Sequence, residues 1–156
     1  MTDAESQAAG FEAEPQRHVG YLIRRAQQRH VAAWTRIASP EISSVQYTIL
    51  VVLDQRGEAS QRELCDAADL DRSTIADLVG RMERKGLIAR RRDPRDARRN
   101  TVTLTDAGRV ERERLRPLVD QVQEALVASM SPQDRAALRV GLQALLAEDV
   151  ERGAPQ

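Results

Sequence analysis

The sequence predicts a mainly α-helical chain with one small β-hairpin, a winged helix-turn-helix set between terminal helices. Three observations carry this. Capping signals open one helix after another, apolar residues recur at spacings of three and four, and the period changes once, to β-prone residues around a loop rich in Pro, Asp and Arg. At 156 residues the chain can build one core, or a small domain with accessory helices, but not two large domains.

Residues 1–14, with Asp3, Glu5, Glu12 and Glu14, read as an acidic, disordered leader. Residues 15–40 are the N-terminal helix of a dimerisation region. Pro15 suits a first turn, and Val19, Leu22, Ile23, Ala26, His30, Ala33 and Ile37 line one face until Ser39-Pro40 stops the helix. Residues 41–105 are the winged helix-turn-helix. Ser43 and Gln46 form a capping box for a helix that ends at Gly57. Inside it the run ILVVL at 49–53 is β-branched enough to suggest a strand, but the cap, the length and the terminal glycine favour helix.

Ser60 and Glu63 make a second capping box, for a short helix through about Ala67. Asp71 caps the next helix, with Ile75, Leu78, Val79 and Met82 as its inner stripe and Gly86 as its stop. Residues 87–92 and 101–105 are the strands of the hairpin, around the loop DPRDARR. Residues 106–150 supply the C-terminal dimerisation helices. The first, capped by Thr105, carries Val110, Leu115, Leu118, Val122 and Leu126 to about Met130; Ser131-Pro132 opens the second, with Leu138, Leu142, Leu145 and Leu146. Residues 151–156 are a tail. The terminal stripes are longer than the small central domain can cover, so they need one another or a second copy of the chain.

With 41% hydrophobic, 31% charged and 3% aromatic residues, the chain has the balance of a globular protein and an aliphatic core. Its 24 basic residues are matched by 24 acidic ones, yet the distribution is uneven. Between Arg81 and Arg99 nine basic residues face only Glu83, Asp93 and Asp96, and local fields are what steer ligands. Cys65 is the single cysteine, which excludes an intrachain disulfide; with His18 and His30 it is too thin a set for a structural zinc site, so no metal or cofactor is expected. No P-loop, nucleophile elbow or credible Ser/His or Cys/His spacing suggests an enzyme. No apolar stretch reaches signal-peptide or membrane length, and a cytoplasmic protein with no membrane partner is expected.

A basic hairpin behind a capped helix-turn-helix points to double-stranded DNA. The second helix of such a pair enters the major groove by its N-terminal residues, which assigns Arg72, Ser73, Thr74 and Asp77 to the groove and Arg81 to the backbone. Arg95 and Arg98 at the hairpin tip suit the minor groove, each two positions after a carboxylate, Asp93 or Asp96, that can orient it. Arg91, Arg92 and Arg99 are left for phosphates. A segment with no aromatic residue disfavours single-strand stacking. The alternative is a winged helix that docks protein through its basic wing, without sequence-specific DNA binding.

The stretches ISSVQYTIL at 42–50 and DRSTIADLVGRMERKGLIARRRDPRDARRNTVTLTDAGR at 71–109 resemble the MarR family of transcription regulators. The wing pattern Asp-x-Arg-Asp-x-Arg, followed by Leu-Thr-x-x-Gly, is the most specific element. The resemblance implies a homodimeric repressor with interlocked terminal helices, a palindromic operator, and release from DNA by a small ligand. The opening HVGYLIRRAQQRH looks like regulators of aromatic-acid catabolism, some of which respond to aryl-CoA thioesters. The resemblance also implies an effector site between the dimerisation helices and the winged domain, lined from the first two helices, which nominates Tyr21, Arg25, His30, Trp34 and Tyr47 for a small aromatic or aryl-CoA effector, since apolar rings with one or two positive groups suit an aromatic carboxylate. Against that, a histidine or tryptophan on an apolar stripe is more often packed core, and Arg25 with its neighbours can be a solvated face. Oxidant-sensing relatives carry a cysteine in the first helix, a position empty here. Cys65 reads as a small core residue.

Overall fold

Side-chain caps set the frame of the chain. In the computed structural model, which describes residues 15–92 and 100–152 with side chains through residue 147, the elements run α1 (Val19–Ile37), α2 (Ser44–Arg56), β1 (Glu58–Ser60), α3 (Gln61–Ala68), α4 (Arg72–Arg84), β2 (Ile88–Arg92), β3 (Asn100–Leu104), α5 (Asp106–Val127) and α6 (Pro132–Arg152). Both capping boxes close reciprocally, at Ser43 with Gln46 and at Ser60 with Glu63. Asp71 and Thr105 cap α4 and α5 by accepting the N–H groups of Thr74 and Gly108. Each cap satisfies amides that would otherwise lack a partner in the first helical turn.

The run 49–53 is helical, because Ile49, Leu50 and Leu53 fall on one face and are buried there. They join Leu64, Ile75, Val79, Met82, Ile88, Val102 and Leu115 in an aliphatic core under the helix-turn-helix. Between α3 and α4 the chain turns through Asp69 in the left-handed region (φ 51°), which Asp tolerates better than most residues. Gly86 (φ 72°) turns the chain out of α4 into β2.

The hairpin expected from the sequence is in fact part of a three-stranded antiparallel sheet in the order β1-β3-β2. Residues 58–60 supply the extra strand, pairing Ala59 with Val102, both buried. Three residues, the last of them the Ser60 cap itself, are too few to show an alternation in the sequence.

One further expectation needs correction. Pro15 does not open α1: residues 15–17 form a turn, closed by the His18 N–H on the Pro15 carbonyl (2.9 Å), and the helix starts at Val19. The apolar stripe of α1 is only partly covered, as a stripe longer than the central domain can cover must be. Ala33 is buried and Ile37 half-buried, while Val19, Leu22, Ile23 and Ala26 stand in solvent. The C-terminal half of α1 packs on α5, whereas α6 scarcely touches the rest of the chain. No helix among the described residues is long and apolar enough to cross a membrane.

Candidate nucleic-acid interface

The second helix of the helix-turn-helix, α4, is anchored from three sides. Ile75, Val79 and Met82 lock its inner face into the core. Lys85, the only lysine, donates from Nζ to the Glu41 carbonyl (2.7 Å), tying the end of α4 to the loop between α1 and α2. Behind it, α5 approaches the α4–β2 turn so closely that a Cβ on Gly108 would lie 2.0 Å from the Leu87 carbonyl oxygen. The Leu-Thr-x-x-Gly stretch is thereby explained: Thr105 caps α5, its hydroxyl also donates to the Gly86 carbonyl (2.6 Å), and Gly108 permits the contact.

The outer face of α4 carries Ser73, Asp77, Gly80 and Arg84, all but Gly80 exposed, with Thr74 at its edge. The Asp71 carboxylate accepts from the Ser73 hydroxyl, from the Thr74 hydroxyl (2.7 Å) and from the Thr74 N–H (2.9 Å). These bonds, the Ser73 hydroxyl's foremost, hold the Asp71 carboxyl well below the usual carboxylate range. A full negative charge therefore sits at the N-terminus of α4. On the exposed face of the helix Asp77 Oδ2 pairs with the Arg81 guanidinium (2.6 Å).

Arg72, Arg91 and Arg92 are exposed as expected. Arg90, half-exposed, instead pairs with Glu83 (3.1 Å) and pins the wing to α4. Arg84 was missed. Its guanidinium lies 3.4 Å from where a Gly80 Cβ would stand, and the spacing 73, 77, 80, 84 is the signal that placed it on this face. Asp93, Arg95, Asp96, Arg98 and Arg99 lie outside the described residues.

The five nominated pocket residues do not converge within one chain. Tyr21 and Arg25 meet on the exposed side of α1 (3.3 Å), while His30, Trp34 and Tyr47 form a chain of rings on another side (6.1 and 5.7 Å between centroids). Trp34 is buried and its Nε1 donates to the Ile42 carbonyl (2.6 Å), which makes it a structural residue first. A cleft of about 280 Å³ does open beside it, between α1, the α1–α2 loop and α4, lined by Val31, Trp34, Thr35, Ser44, Leu78 and Arg81 among others. Of the five, only Trp34 lines it. The Ser39 hydroxyl oxygen there already accepts two backbone N–H groups, and the Ser43 and Gln46 side chains are engaged in the cap. Among the described residues at its wall Arg81 is the cation and Glu41 the anion.

The family model described as "MarR family" matches residues 42–99. The HTH-type transcriptional repressor NicR of Pseudomonas putida is 32% identical over 136 residues, 86% of each chain. Among solved structures, the PcaV transcriptional regulator of Streptomyces coelicolor in complex with its natural ligand superposes with a TM-score of 0.81 at 32% identity, covering 86% of this chain and 96% of that one. Bordetella bronchiseptica BpsR, whose DNA binding is regulated by 6-hydroxynicotinic acid, gives 0.75 at 30% identity, over 81% and 97%. Fold and interface thus define a winged helix-turn-helix transcriptional regulator. The chain belongs to the MarR family.

Proposed function

We propose that this protein is a cytoplasmic, homodimeric repressor, not an enzyme, that holds a two-fold operator and lets go when a small aromatic acid enters the cleft between α1 and α4. The observation that carries the reading is the double position of Arg81: it is part of α4, from which it would reach the DNA backbone, and it stands at the wall of the cleft. An aromatic ring fits against Trp34, Val31 and Leu78, and its carboxylate competes with Asp77 for the guanidinium. Because Arg81 and Leu78 share α4 with Ser73 and Asp77, occupation of the cleft shifts the helix that reads the groove, a differential contact of the kind linkage requires. The aromatic acid that regulates DNA binding of BpsR supports that ligand class; an aryl-CoA thioester would leave its nucleotide outside so small a cleft.

Dimerisation is supported by the exposed leucines of α6 and by the bare N-terminal half of α1. Two copies related by a two-fold axis would set two α4 helices about one DNA turn apart. Arg91 and Arg92, with Arg95, Arg98 and Arg99 of the connecting loop, would then hold the backbone and minor groove on either side, Asp93 and Asp96 orienting the tip.

The test is fluorescence anisotropy with the DNA flanking the protein's own gene and with random duplex, at several salt concentrations, with and without hydroxylated benzoic and nicotinic acids. Preference for the flanking DNA with two protomers per site, lost on adding an acid, is the expected result. Equal, steeply salt-dependent binding to both duplexes would leave only a protein-docking wing. An Arg81→Ala variant should bind the operator roughly tenfold more weakly and respond less to the acid. A wild-type response in that variant would place the effector elsewhere.

A further inference from the structure

Resting on the reading that α4 lies in the major groove, we infer that its first two turns recognise bases by their amino groups: Ser73, Thr74 and Asp77 present hydrogen-bond acceptors, and the bases they contact are adenine or cytosine, not guanine or thymine.

The argument is a count of protons. A serine or threonine hydroxyl has one proton and two acceptor lone pairs. At the start of α4 both protons are already committed, Ser73's to Asp71 Oδ1 and Thr74's to Asp71 Oδ2. The carboxylate that takes them is also fixed by the Thr74 N–H. What the two hydroxyls have left to offer is lone pairs. One turn on, Asp77 adds a carboxylate, which accepts only, on the same exposed face as Ser73. Along this edge the helix is a row of acceptors.

In the major groove the donors are adenine N6 and cytosine N4; guanine O6 and N7, thymine O4 and every phosphate oxygen are acceptors. An acceptor row meeting those would be repelled. A hydroxyl could rotate its proton toward a phosphate, but Asp71 would then lose a charge-assisted bond, the stronger kind. Asp71 thus acts as a positioning residue: it sets the polarity of the two hydroxyls. Keto edges are left to Arg72, a pure donor exposed at the same end of the helix.

The experiment starts with the full-length protein and a pool of random duplexes, from which its operator is selected. Each base protected by α4 is then replaced by its analogue lacking the exocyclic amino group, purine for adenine and pyrimidin-2-one for cytosine. The same replacements outside the footprint serve as the control. Wild type should lose roughly five- to tenfold in affinity at one or two positions per half-site. A Ser73→Ala/Thr74→Ala variant should bind operators with and without the amino group alike at the bases beneath residues 73 and 74, keep its response at the base beneath Asp77, and show an unchanged salt slope. Asp71→Ala, which frees the hydroxyl protons, should bind guanine or thymine at those positions nearly as well as the amino base. The inference is overturned if the bases beneath Ser73 and Thr74 are guanine or thymine, if removing amino groups has no effect in wild type, or if the double variant lowers the salt slope by about one, the mark of a lost phosphate contact. Failure to select any sequence overturns the DNA-reading function itself, an outcome distinct from selection of a keto-rich site.

Discussion

In the winged region Leu50, Leu53, Leu64, Ile75 and Val79 are 0% exposed, while in α6 Leu138, Leu142, Leu145 and Leu146 remain 41–58% exposed. The side chains are of one kind; their fates differ because of what each element meets. The helix-turn-helix, the sheet and the adjoining faces of α2 and α5 close around one another within a single chain. α6 and the first half of α1 find no such cover, and each half-exposed leucine forgoes roughly half of the 1.5–3 kcal/mol that full burial brings. A long helix draws most of its stability from a packed face, so α6 is built for a surface that one chain does not supply. The DNA-reading half is complete in the protomer, and the other half is completed by assembly.

That contrast can be broken from either side. The largest effect belongs to the winged region: Gly108→Ala drives a methyl group onto the Leu87 backbone carbonyl, which cannot swing aside, and should cost about 3 kcal/mol in chemical denaturation. A variant as stable as wild type would show that α5 can slide along the α4–β2 turn. Next comes α6, where Leu142→Glu should weaken self-association at least tenfold, about 1.4 kcal/mol or more, in sedimentation equilibrium. The methyl NMR signals of Ile75 and Val79 should stay where they are. An unchanged dissociation constant would remove this face of α6 from the interface.

The smallest effect sharpens the comparison inside the reading half. Asp71 has a carboxyl held below its ordinary value by the Ser73 and Thr74 hydrogen bonds. A group depressed in the folded state contributes stability above its unfolded pKa, near 3.8, and loses it as pH falls through the lower folded value. The difference in denaturation midpoint between wild type and Asp71→Ala should therefore be constant from pH 7 to about 5 and shrink in strong acid. A difference that instead grew on acidification would mean the carboxylate is not the group being stabilised.

Much of the architecture was legible because its signals are local. A cap lies three residues from the amide it satisfies, a helix stripe repeats within one turn, and Gly86 stands at the turn it permits, so α2, α3, α4 and the start of α5 could be placed from the sequence alone. The hydroxyls and arginines of α4 were legible for the same reason. Arg84 was overlooked although its spacing from Asp77 marks it, and β1 could not be found because its only support is β3, some forty residues away.

The pocket was the least legible part. Tyr21, Arg25, His30, Trp34 and Tyr47 were grouped by chemistry, but ring-bearing residues on one helix need not share a face, and the Trp34 indole is held by a carbonyl eight positions along. The sequence by itself determined the order of helices, the aliphatic core and the concentration of positive charge behind α4, since each follows from composition, periodicity and capping over a few residues. Only the tertiary structure decided that Asp71 takes both hydroxyl protons, that Asp77 engages Arg81, that Gly108 must lack a side chain and that a cleft opens beside Arg81. Those outcomes depend on distances between groups, some within one helical turn and some across the fold, and the order of residues does not state distances.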